Sequence, residues 1–441
     1  MGLVPFGRSE LSMATPMREG QAEGRTALRS SSTGRIAAQT ALDKTAPNGL
    51  SFDVARAYQL NPFEIAAGNV TGDAEPPEPL GGHPVPANVR IALEEVLLDC
   101  LKRQPCLIAF SGGRDSSGIL ALATALARRN GLVDPIPATN IVLGDARSAE
   151  TEWQERVVSF LRLQDWRRRW WEPGELDLIG PVAEPILRMH GTVYPSNAHF
   201  MAPIAEEAAG GTLVTGIGGD ELFLFRSRLS LLRSSLLEPG ARRRKAPVAL
   251  MQTLMPRSIY APHVLSLTQT SLPWLLPHAN ALLRRELVRQ EMGVGWRWST
   301  TVSNCWWRAK RRLAHVSTLQ AITADCGVSI VHPFMSTRLL SAAIRAAPLT
   351  GFASRTVGMT ALFGDVLPEE VLRRRSKAIF NDVFFSHISR RLVAEWDGAG
   401  LEELPINPNK LKHTWSQPDV DARSSFLLQE LWQRTRGGVP R

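Results

Sequence analysis

Residues 111–117 read Ser111-Gly112-Gly113-Arg114-Asp115-Ser116-Ser117, and this stretch indicates the fold of the chain. The run just before it, Cys-Leu-Ile-Ala-Phe, is short, apolar and β-prone. Residues 117–129 have apolar side chains at helical spacing: Ile119, Leu120, Leu122, Ala123 and Leu126. This order of apolar run, glycine turn and amphipathic run predicts a buried strand, a tight turn and the N-terminus of a helix.

The turn has the chemistry of an anion-binding loop. Gly112 and Gly113 let the backbone approach an anion closely, and free N–H groups at the helix start point at it. Hydroxyl donors come from Ser111, Ser116 and Ser117. Asp115 would repel phosphate unless a metal ion lay between them, and Mg²⁺ prefers carboxylate and phosphate oxygens. We therefore predict a nucleotide phosphate site with Mg²⁺, the alternative being a turn with a purely structural role. It is not a Walker A loop, because no Gly-Lys-Ser/Thr follows.

A second acidic glycine loop follows about a hundred residues later. Residues 216–223 read Gly-Ile-Gly-Gly-Asp-Glu-Leu-Phe and come after the β-prone run 212–215. In open parallel sheets, ligands bind at the carboxyl ends of the strands, so both loops are expected to face one crevice. Asp115 and Asp220 would then share Mg²⁺ around the nucleotide phosphates, and Gly218 and Gly219 would bind the same phosphates.

The composition is that of an ordinary globular protein. The chain has 441 residues, enough for two domains, with 44% hydrophobic and 21% charged residues. No run of about 18 apolar residues and no apolar signal core is present, so we expect a cytoplasmic protein without a membrane partner. The four cysteines lack metal-ligand spacing and are expected to be reduced.

Arginine dominates the formal charge of +9. Such an excess is compatible with nucleic acid, an acidic peptide or a polyphosphate substrate, and equally with solvated helix faces. No nucleic-acid-binding module accompanies the charge, so we expect no nucleic-acid partner.

The pattern of elements divides the chain into four parts. Residues 1–48 are rich in Ser, Thr, Gly, Ala and Arg and predict a disordered arm, and residues 49–86 form an N-terminal segment with a Pro/Gly linker. In residues 87–230, strands alternate with helices, which predicts an α/β domain with a doubly wound parallel sheet. From about residue 224 onward the sequence no longer shows strand patterns. Leucine-rich segments then predict a mostly helical domain in residues 231–441 that completes the active site.

The motifs together resemble a known family. The first loop resembles the pyrophosphate loop, SGGxDS, of ATP pyrophosphatases, and SGGRDSS with TGIGGDELF resembles the synthetase domain of the asparagine synthetase family. Residues 327–336 resemble that family's G-V-E-x-R-x-P-F-L-D segment, and residues 377–382 resemble its K-x-x-F-x-D segment. The resemblance implies an adenine nucleotide alpha hydrolase-like fold, with ATP and Mg²⁺ as cofactors.

It also implies a reaction. ATP adenylates a carboxylate, and an amine attacks the acyl-adenylate to give an amide, AMP and pyrophosphate. Lys377 would stabilise the leaving pyrophosphate or the tetrahedral intermediate, unless it is a surface lysine of a basic run. Glu221 would orient the loop or the amine, or simply be a first-turn carboxylate favoured by the helix dipole. For Glu152, contact with the nucleotide is the weaker interpretation and an exposed helix position the stronger one.

The chain departs from the family pattern at several positions. It begins Met-Gly-Leu and only about 105 residues precede the first strand, so we expect no glutaminase half, no catalytic N-terminal cysteine and no ammonia made from glutamine. Ser329 replaces the glutamate of G-V-E-x-R, and Ser336 replaces the aspartate of P-F-L-D. His332 is a candidate catalytic base, and the alternative is a packed structural histidine.

The segment Val-His-Pro-Phe also resembles lasso-peptide macrolactam cyclases of the same family, which directs the prediction towards peptide or natural-product tailoring. We expect a small-molecule or peptide carboxylate, an amine donor, and a precursor peptide or partner protein as partners. The alternatives are an asparagine synthetase that uses free or partner-supplied ammonia, a different pyrophosphate-loop enzyme, and a non-catalytic binding protein. Four tryptophans are interpreted as an acceptor pocket or, better, as core: Trp296, Trp298, Trp306 and Trp307.

Overall fold

Five parallel strands form one sheet in the computed structural model. The structure describes residues 57–76, 78–80, 86, 88–144, 150–237, 246–266, 270–374 and 380–436. The strands are β1 (Cys106–Ala109), β2 (Ile136–Val142), β3 (Arg167–Trp171), β4 (Thr212–Val214) and β5 (Ser329–Val331). Their order across the sheet is β3-β2-β1-β4-β5, which confirms the predicted doubly wound α/β fold.

The strand order places the first glycine loop at the middle of the sheet. Leu107 of β1 pairs with Ile136 of β2 on one side and with Leu213 of β4 on the other. The chain thus leaves β1 in one direction to build β2 and β3, and later adds β4 and β5 on the opposite side. The loops after β1 and β4 flank the point where the winding direction changes, which is where open α/β sheets bind ligands.

Helices surround this sheet and make up most of the remaining described chain. They are α1 (Pro62–Ala67), α2 (Val89–Leu101), α3 (Arg114–Arg129), α4 (Thr151–Leu161), α5 (Ala183–His190), α6 (Ala202–Glu207), α7 (Gly219–Leu224), α8 (Arg228–Leu237), α9 (Ala246–Leu254), α10 (Arg257–Ser266), α11 (Pro277–Met292), α12 (Trp298–Val302), α13 (Lys310–Ala324), α14 (Thr337–Ala346), α15 (Arg355–Phe363), α16 (Glu369–Arg373), α17 (Asn381–Phe384), α18 (His387–Glu395), α19 (Pro408–Trp415) and α20 (Ser425–Arg436). None of the helices in the described ranges is both long and apolar enough to cross a bilayer.

The elements between 179 and 209 differ in detail from those that the sequence predicts. The sequence pattern predicts a helix over residues 179–189, but α5 begins only at Ala183, because the Gly180-Pro181 pair interrupts the backbone pattern. The pattern also predicts a second helix over residues 198–209. There the structure has a 3₁₀ turn, Ala198–Met201, followed by α6, whose first turn contains Pro203.

Strand β5 contradicts the expectation that strand signals end near residue 224. Only three residues form this strand, too few for a periodic pattern, and the sheet itself stabilises them. The largest core cluster likewise joins Leu93 and Ile119 to Phe334 and Phe363. The parts of the chain before and after the predicted boundary at residue 230 therefore share one hydrophobic core. The domain boundary itself stays a prediction. The predicted arm, residues 1–48, lies outside the described residues.

Candidate active site

The two glycine loops touch each other at the carboxyl ends of β1 and β4. A Cβ atom on Gly219 would lie 2.5 Å from the carboxyl carbon of Asp115, and one on Gly216 would lie 2.9 Å from the amide nitrogen of Ser116. Such distances are too short for any side chain, so glycine is required where the second loop packs on the first. The two motifs, separated by about a hundred residues in the sequence, thus form one site.

The first loop is folded tightly around the N-terminus of α3. Gly112 has a φ of +78°, which favours glycine, and α3 begins at Arg114. The hydroxyl of Ser116 accepts a hydrogen bond from the Ser111 amide at 3.2 Å and lies 3.0 Å from the Ser111 hydroxyl. The Ser117 hydroxyl is buried and has no hydrogen-bond partner among the described residues. This is the geometry expected of a helix N-terminus that receives an anion.

The predicted metal ligands Asp115 and Asp220 lie on either side of one arginine. The guanidinium of Arg355 donates to the Asp115 carboxylate at 2.5 Å and forms a second short ion pair with Asp220. Burial raises the pKa of the Asp115 carboxyl, although Arg355 acts in the opposite direction. Burial lowers the pKa of Arg355, but the two carboxylates outweigh that effect and raise it. Arg355 is held as a cation between the two carboxylates.

These carboxylates fit Mg²⁺ only in company with phosphate oxygens. One oxygen of Asp115 is buried and has no hydrogen-bond partner among the described residues. Within the same described ranges, no group of three or more His, Cys, Asp or Glu side chains is placed to hold a metal. Mg²⁺ usually keeps one or two carboxylates and completes its shell with phosphate oxygens and water, which suits this pair. The metal role of Asp115 and Asp220 stays a prediction.

A large cavity begins where the second loop ends. Its volume is about 1120 Å³, and Asp220 and Glu221 line it together with Tyr194 and Arg311. Burial raises the pKa of the Glu221 carboxyl, and neighbouring Asp220 adds to this effect. Burial also raises the pKa of the Tyr194 hydroxyl, against the influence of Arg311. A half-buried carboxylate of raised pKa beside a cavity is a better proton acceptor than a surface carboxylate.

Comparison with known proteins agrees with this geometry. A model of the asparagine synthase family matches residues 88–433 of the 441-residue chain. The chain belongs to the asparagine synthase family. A search of curated proteins finds none that matches it. The family resemblance inferred from the motifs is therefore confirmed, and the matched range covers every described strand and both glycine loops.

The structure explains one departure from the asparagine synthase motifs, at Ser336, and locates the other, at Ser329. The Ser336 hydroxyl accepts a hydrogen bond from the Leu339 amide at 3.2 Å and so caps the N-terminus of α14. Serine and aspartate are both good N-caps, so this replacement keeps the helix start intact. Ser329 is the first residue of β5 and pairs with Thr212, the first residue of β4. It therefore lies at the amino end of its strand, whereas the glycine loops follow the carboxyl ends of β1 and β4.

His332, the candidate base, is a buried residue of this asparagine synthase fold. Its side chain is 5% exposed, and its Nδ1 lies 2.6 Å from the hydroxyl of Thr215. Burial lowers the pKa of His332 to about 3, and His315 acts in the same direction. A general base works best with a pKa near the operating pH, so these observations favour the packed-histidine alternative. The catalytic role of His332 stays a prediction.

The remaining candidates fall into two groups. Glu152 is exposed on α4 and pairs with Arg156 at 3.2 Å, which favours the surface interpretation. The side chains of Trp298, Trp306 and Trp307 are buried in the largest core cluster, which favours their interpretation as core. Trp296 is 41% exposed. Lys377 lies outside the described residues, and its role stays a prediction.

Two arginines of the site were not identified from the sequence. One is Arg355. The other, Arg374, donates to the carbonyl of Gly112 at 2.8 Å, forms a buried ion pair with Glu150, and lies 4.8 Å from the Trp153 ring centre. Arg374 thereby links the chain just before residues 377–382 to the first glycine loop. The basic run 373–375 was the only sequence signal, and it does not indicate which arginine is buried.

Proposed function

We propose that this member of the asparagine synthase family is an ATP-dependent amide ligase that tailors a peptide or other natural product, for example by macrolactam formation. The observation that carries this proposal is the contact between two acidic glycine loops at the N-terminus of α3, beside a large cavity. The family comprises ATP-dependent carbon–nitrogen ligases. The substrate, the release of AMP and the roles of single residues belong to the proposal.

The first step is the activation of a carboxylate. A substrate carboxylate oxygen attacks the α-phosphorus of ATP, the bond to the bridging oxygen breaks, and pyrophosphate leaves. The amides at the start of α3 and the serine hydroxyls of the first loop hold the phosphates. Asp115 and Asp220 would hold Mg²⁺, which would supply positive charge to the departing pyrophosphate. Arg355, already a cation at this position, adds a further positive charge.

The second step forms the amide. An amine attacks the acyl carbon, the bond to the AMP oxygen breaks, and AMP leaves with one oxygen of the original carboxylate. The amine loses a proton, and Glu221 is our candidate acceptor because its carboxyl lines the cavity and has a raised pKa. An amine already held beside the acyl-adenylate gains an effective molarity of roughly 10⁵ M or more over a free one. We therefore prefer a substrate-borne amine to free ammonia.

Nucleotide binding is the first test. Calorimetry with Mg²⁺ and ATP should show that Asp115→Asn and Asp220→Asn each abolish metal-dependent binding. The matched control is Asp134→Asn. Asp134 belongs to neither loop, and its carboxylate forms an ion pair with Arg128 at 2.8 Å. Unchanged affinity in both site variants would refute the assigned site.

The course of the reaction is tested with a labelled carboxylate. With ¹⁸O in the carboxylate substrate, label should appear in AMP, and release of ADP and phosphate would exclude an acyl-adenylate. Rapid formation of asparagine from aspartate, ATP and ammonium would favour the simple synthetase instead. Binding of Mg²⁺ and ATP with no pyrophosphate release from any carboxylate offered would favour the non-catalytic binding protein.

A further inference from the structure

The cavity beside the second loop is separate from the nucleotide loop. Of the described residues that line it, none belongs to the stretch 111–117, and the two regions meet at Asp220 and Glu221. Pockets for drug-sized ligands measure roughly 300–1,000 Å³, and the volume of about 1120 Å³ exceeds that range. A free amino acid would leave most of this space unfilled, so the size points to a substrate of several residues.

Uncompensated arginines give the cavity a positive wall. Five arginines line it, and two are neutralised, since Arg289 pairs with Asp73 at 3.0 Å and Arg423 with Asp421 at 2.5 Å. The other three have no carboxylate partner among the described residues: Arg226, Arg308 and Arg311. Among the described residues, Arg311 donates a hydrogen bond only to the carbonyl of Cys305, at 3.2 Å.

The acidic residues of the lining do not balance these charges. Asp220 is bound by Arg355 and Asp73 by Arg289, so two carboxyl groups, those of Glu221 and Glu291, line the cavity with the three arginines. A concave surface lined by charge of one sign concentrates ligands of the opposite sign. The ligand that fits this surface therefore carries carboxylates or other anionic groups.

Aliphatic side chains give the same cavity an apolar wall in addition to the positive one. These are Val70, Leu224, Leu231, Leu265, Leu283 and Leu287, contributed by the chain after α1 and by α7, α8, α10 and α11. Leu224 is 40% exposed, so part of this apolar surface is open to a ligand. Single-stranded nucleic acid would need several aromatic platforms, but Tyr194 and Phe225 are the only aromatic residues among the described lining.

We propose that this cavity binds the substrate as a peptide of several residues with both carboxylate and aliphatic side chains. One carboxylate of the peptide lies at the end of the cavity next to Asp220, where it reaches the nucleotide. Further carboxylates contact Arg226, Arg308 and Arg311, and aliphatic side chains contact the leucines. This inference rests on the proposed function for its direction, but it is tested without ATP.

The experiment uses three fluorescein-labelled octapeptides and fluorescence anisotropy on the full chain at low salt. The first is Gly-Leu-Glu-Gly-Leu-Glu-Gly-Leu, and the others replace each glutamate with glutamine or lysine. We expect the glutamate peptide to bind at least about tenfold more tightly than the glutamine peptide. The substitutions Arg226→Gln, Arg308→Gln and Arg311→Gln should each weaken it by about threefold, a typical effect of one partly exposed charge.

The matched control is Arg284→Gln, which removes the same charge from the exposed side of α11 and should leave affinity unchanged. Equal binding of the glutamate and glutamine peptides, or equal losses in Arg284→Gln, would overturn the inference. So would tighter binding of a deoxythymidine decamer than of the glutamate peptide. Asp115→Asn separates the two proposals, because it should keep peptide binding and lose ATP binding. If the unmodified chain binds ATP but not the glutamate peptide, the cavity proposal alone is wrong. If it binds the glutamate peptide but not ATP, the proposed function alone is wrong.

Discussion

At the scale of single residues, burial decides which groups of the site can exchange protons. The Glu221 carboxyl lines the cavity and its pKa is raised by burial, whereas burial lowers the pKa of His332 to about 3. The hydroxyl of Thr215 lies 2.6 Å from the histidine Nδ1. Glu221 is thus the better placed of the two candidate bases, and His332 is expected to act on stability rather than on turnover.

The pH dependence of stability tests this view of His332. Its pKa is about 3 in the folded protein and about 6.5 when unfolded, so the unfolded state binds more protons within that window. The contribution of neutral His332 is complete above pH 6.5 and is lost as the pH falls towards 3. One such group adds a slope of up to about 1.4 kcal/mol per pH unit.

In His332→Asn, the free energy of unfolding in urea should therefore fall less steeply between about pH 6.5 and pH 4.5 than in the unmodified protein. The control is His278→Asn, because His278 is exposed at the start of α11 and should keep the original slope. An unchanged slope in His332→Asn would mean that this histidine is not buried in its neutral form.

Sequence reasoning at this scale found the residues whose neighbours in the chain carry the signal. Asp115 and Asp220 were identified because glycines, strands and helix starts surround them. Arg355 and Arg374 were missed, because each meets its partners only through tertiary contacts with residues more than 130 positions away. One arginine in a chain with 51 lysines and arginines gives no local sign of burial.

At the scale of elements, the site depends on how closely two strand-to-helix turns approach each other. Gly219 begins α7, where alanine normally stabilises a helix by about 1 kcal/mol relative to glycine. Its missing Cβ, however, would lie 2.5 Å from the Asp115 carboxyl carbon and from one carboxyl oxygen. The contact with Asp115 should therefore outweigh helix propensity.

We expect Gly219→Ala to destabilise the protein by about 1–3 kcal/mol, the usual cost of overpacking. In an Asp115→Ala background the clashing carboxyl atoms are gone, so the same substitution should become neutral or stabilising. Melting temperatures of the four proteins in this double-mutant cycle measure the coupling. An equal effect of Gly219→Ala in both backgrounds would show that Gly219 does not pack against Asp115.

The elements also show where sequence patterns fail. The strand, turn and helix around residues 106–129 were predicted because periodicity, glycines and capping agree there. Strand β5 was missed, since a three-residue strand that is buried on both sides has no alternation to detect. Its position in the sheet depends on hydrogen bonds to β4, which no local pattern encodes.

At the scale of the whole molecule, the helical C-terminal half covers the α/β half instead of standing apart from it. Helix α14 packs against α2, and α15 packs against α3. Phe334 and Phe363 are fully buried in the core cluster that also contains residues of α2 and α3. Arg355, the first residue of α15, meets Asp115 at the centre of the site. The site and the core are both shared between the two predicted domains.

This arrangement makes the predicted boundary at residue 230 testable. A fragment of residues 1–230 would lose β5 from the edge of β4 and lose α14 and α15 from the faces of α2 and α3. Leu93, Leu97, Ile119 and Leu122, all fully buried in the intact chain, would become exposed. At roughly 1.5–3 kcal/mol for each large apolar side chain, this loss is comparable to the 5–15 kcal/mol that stabilises a typical domain. We therefore expect the fragment to show poorly dispersed amide signals and no cooperative thermal transition, while the full chain shows both dispersion and a transition. A fragment that unfolded cooperatively would establish residues 87–230 as an autonomous domain, and the buried contacts of Phe334 and Phe363 would then stabilise the junction of two units rather than the core of one.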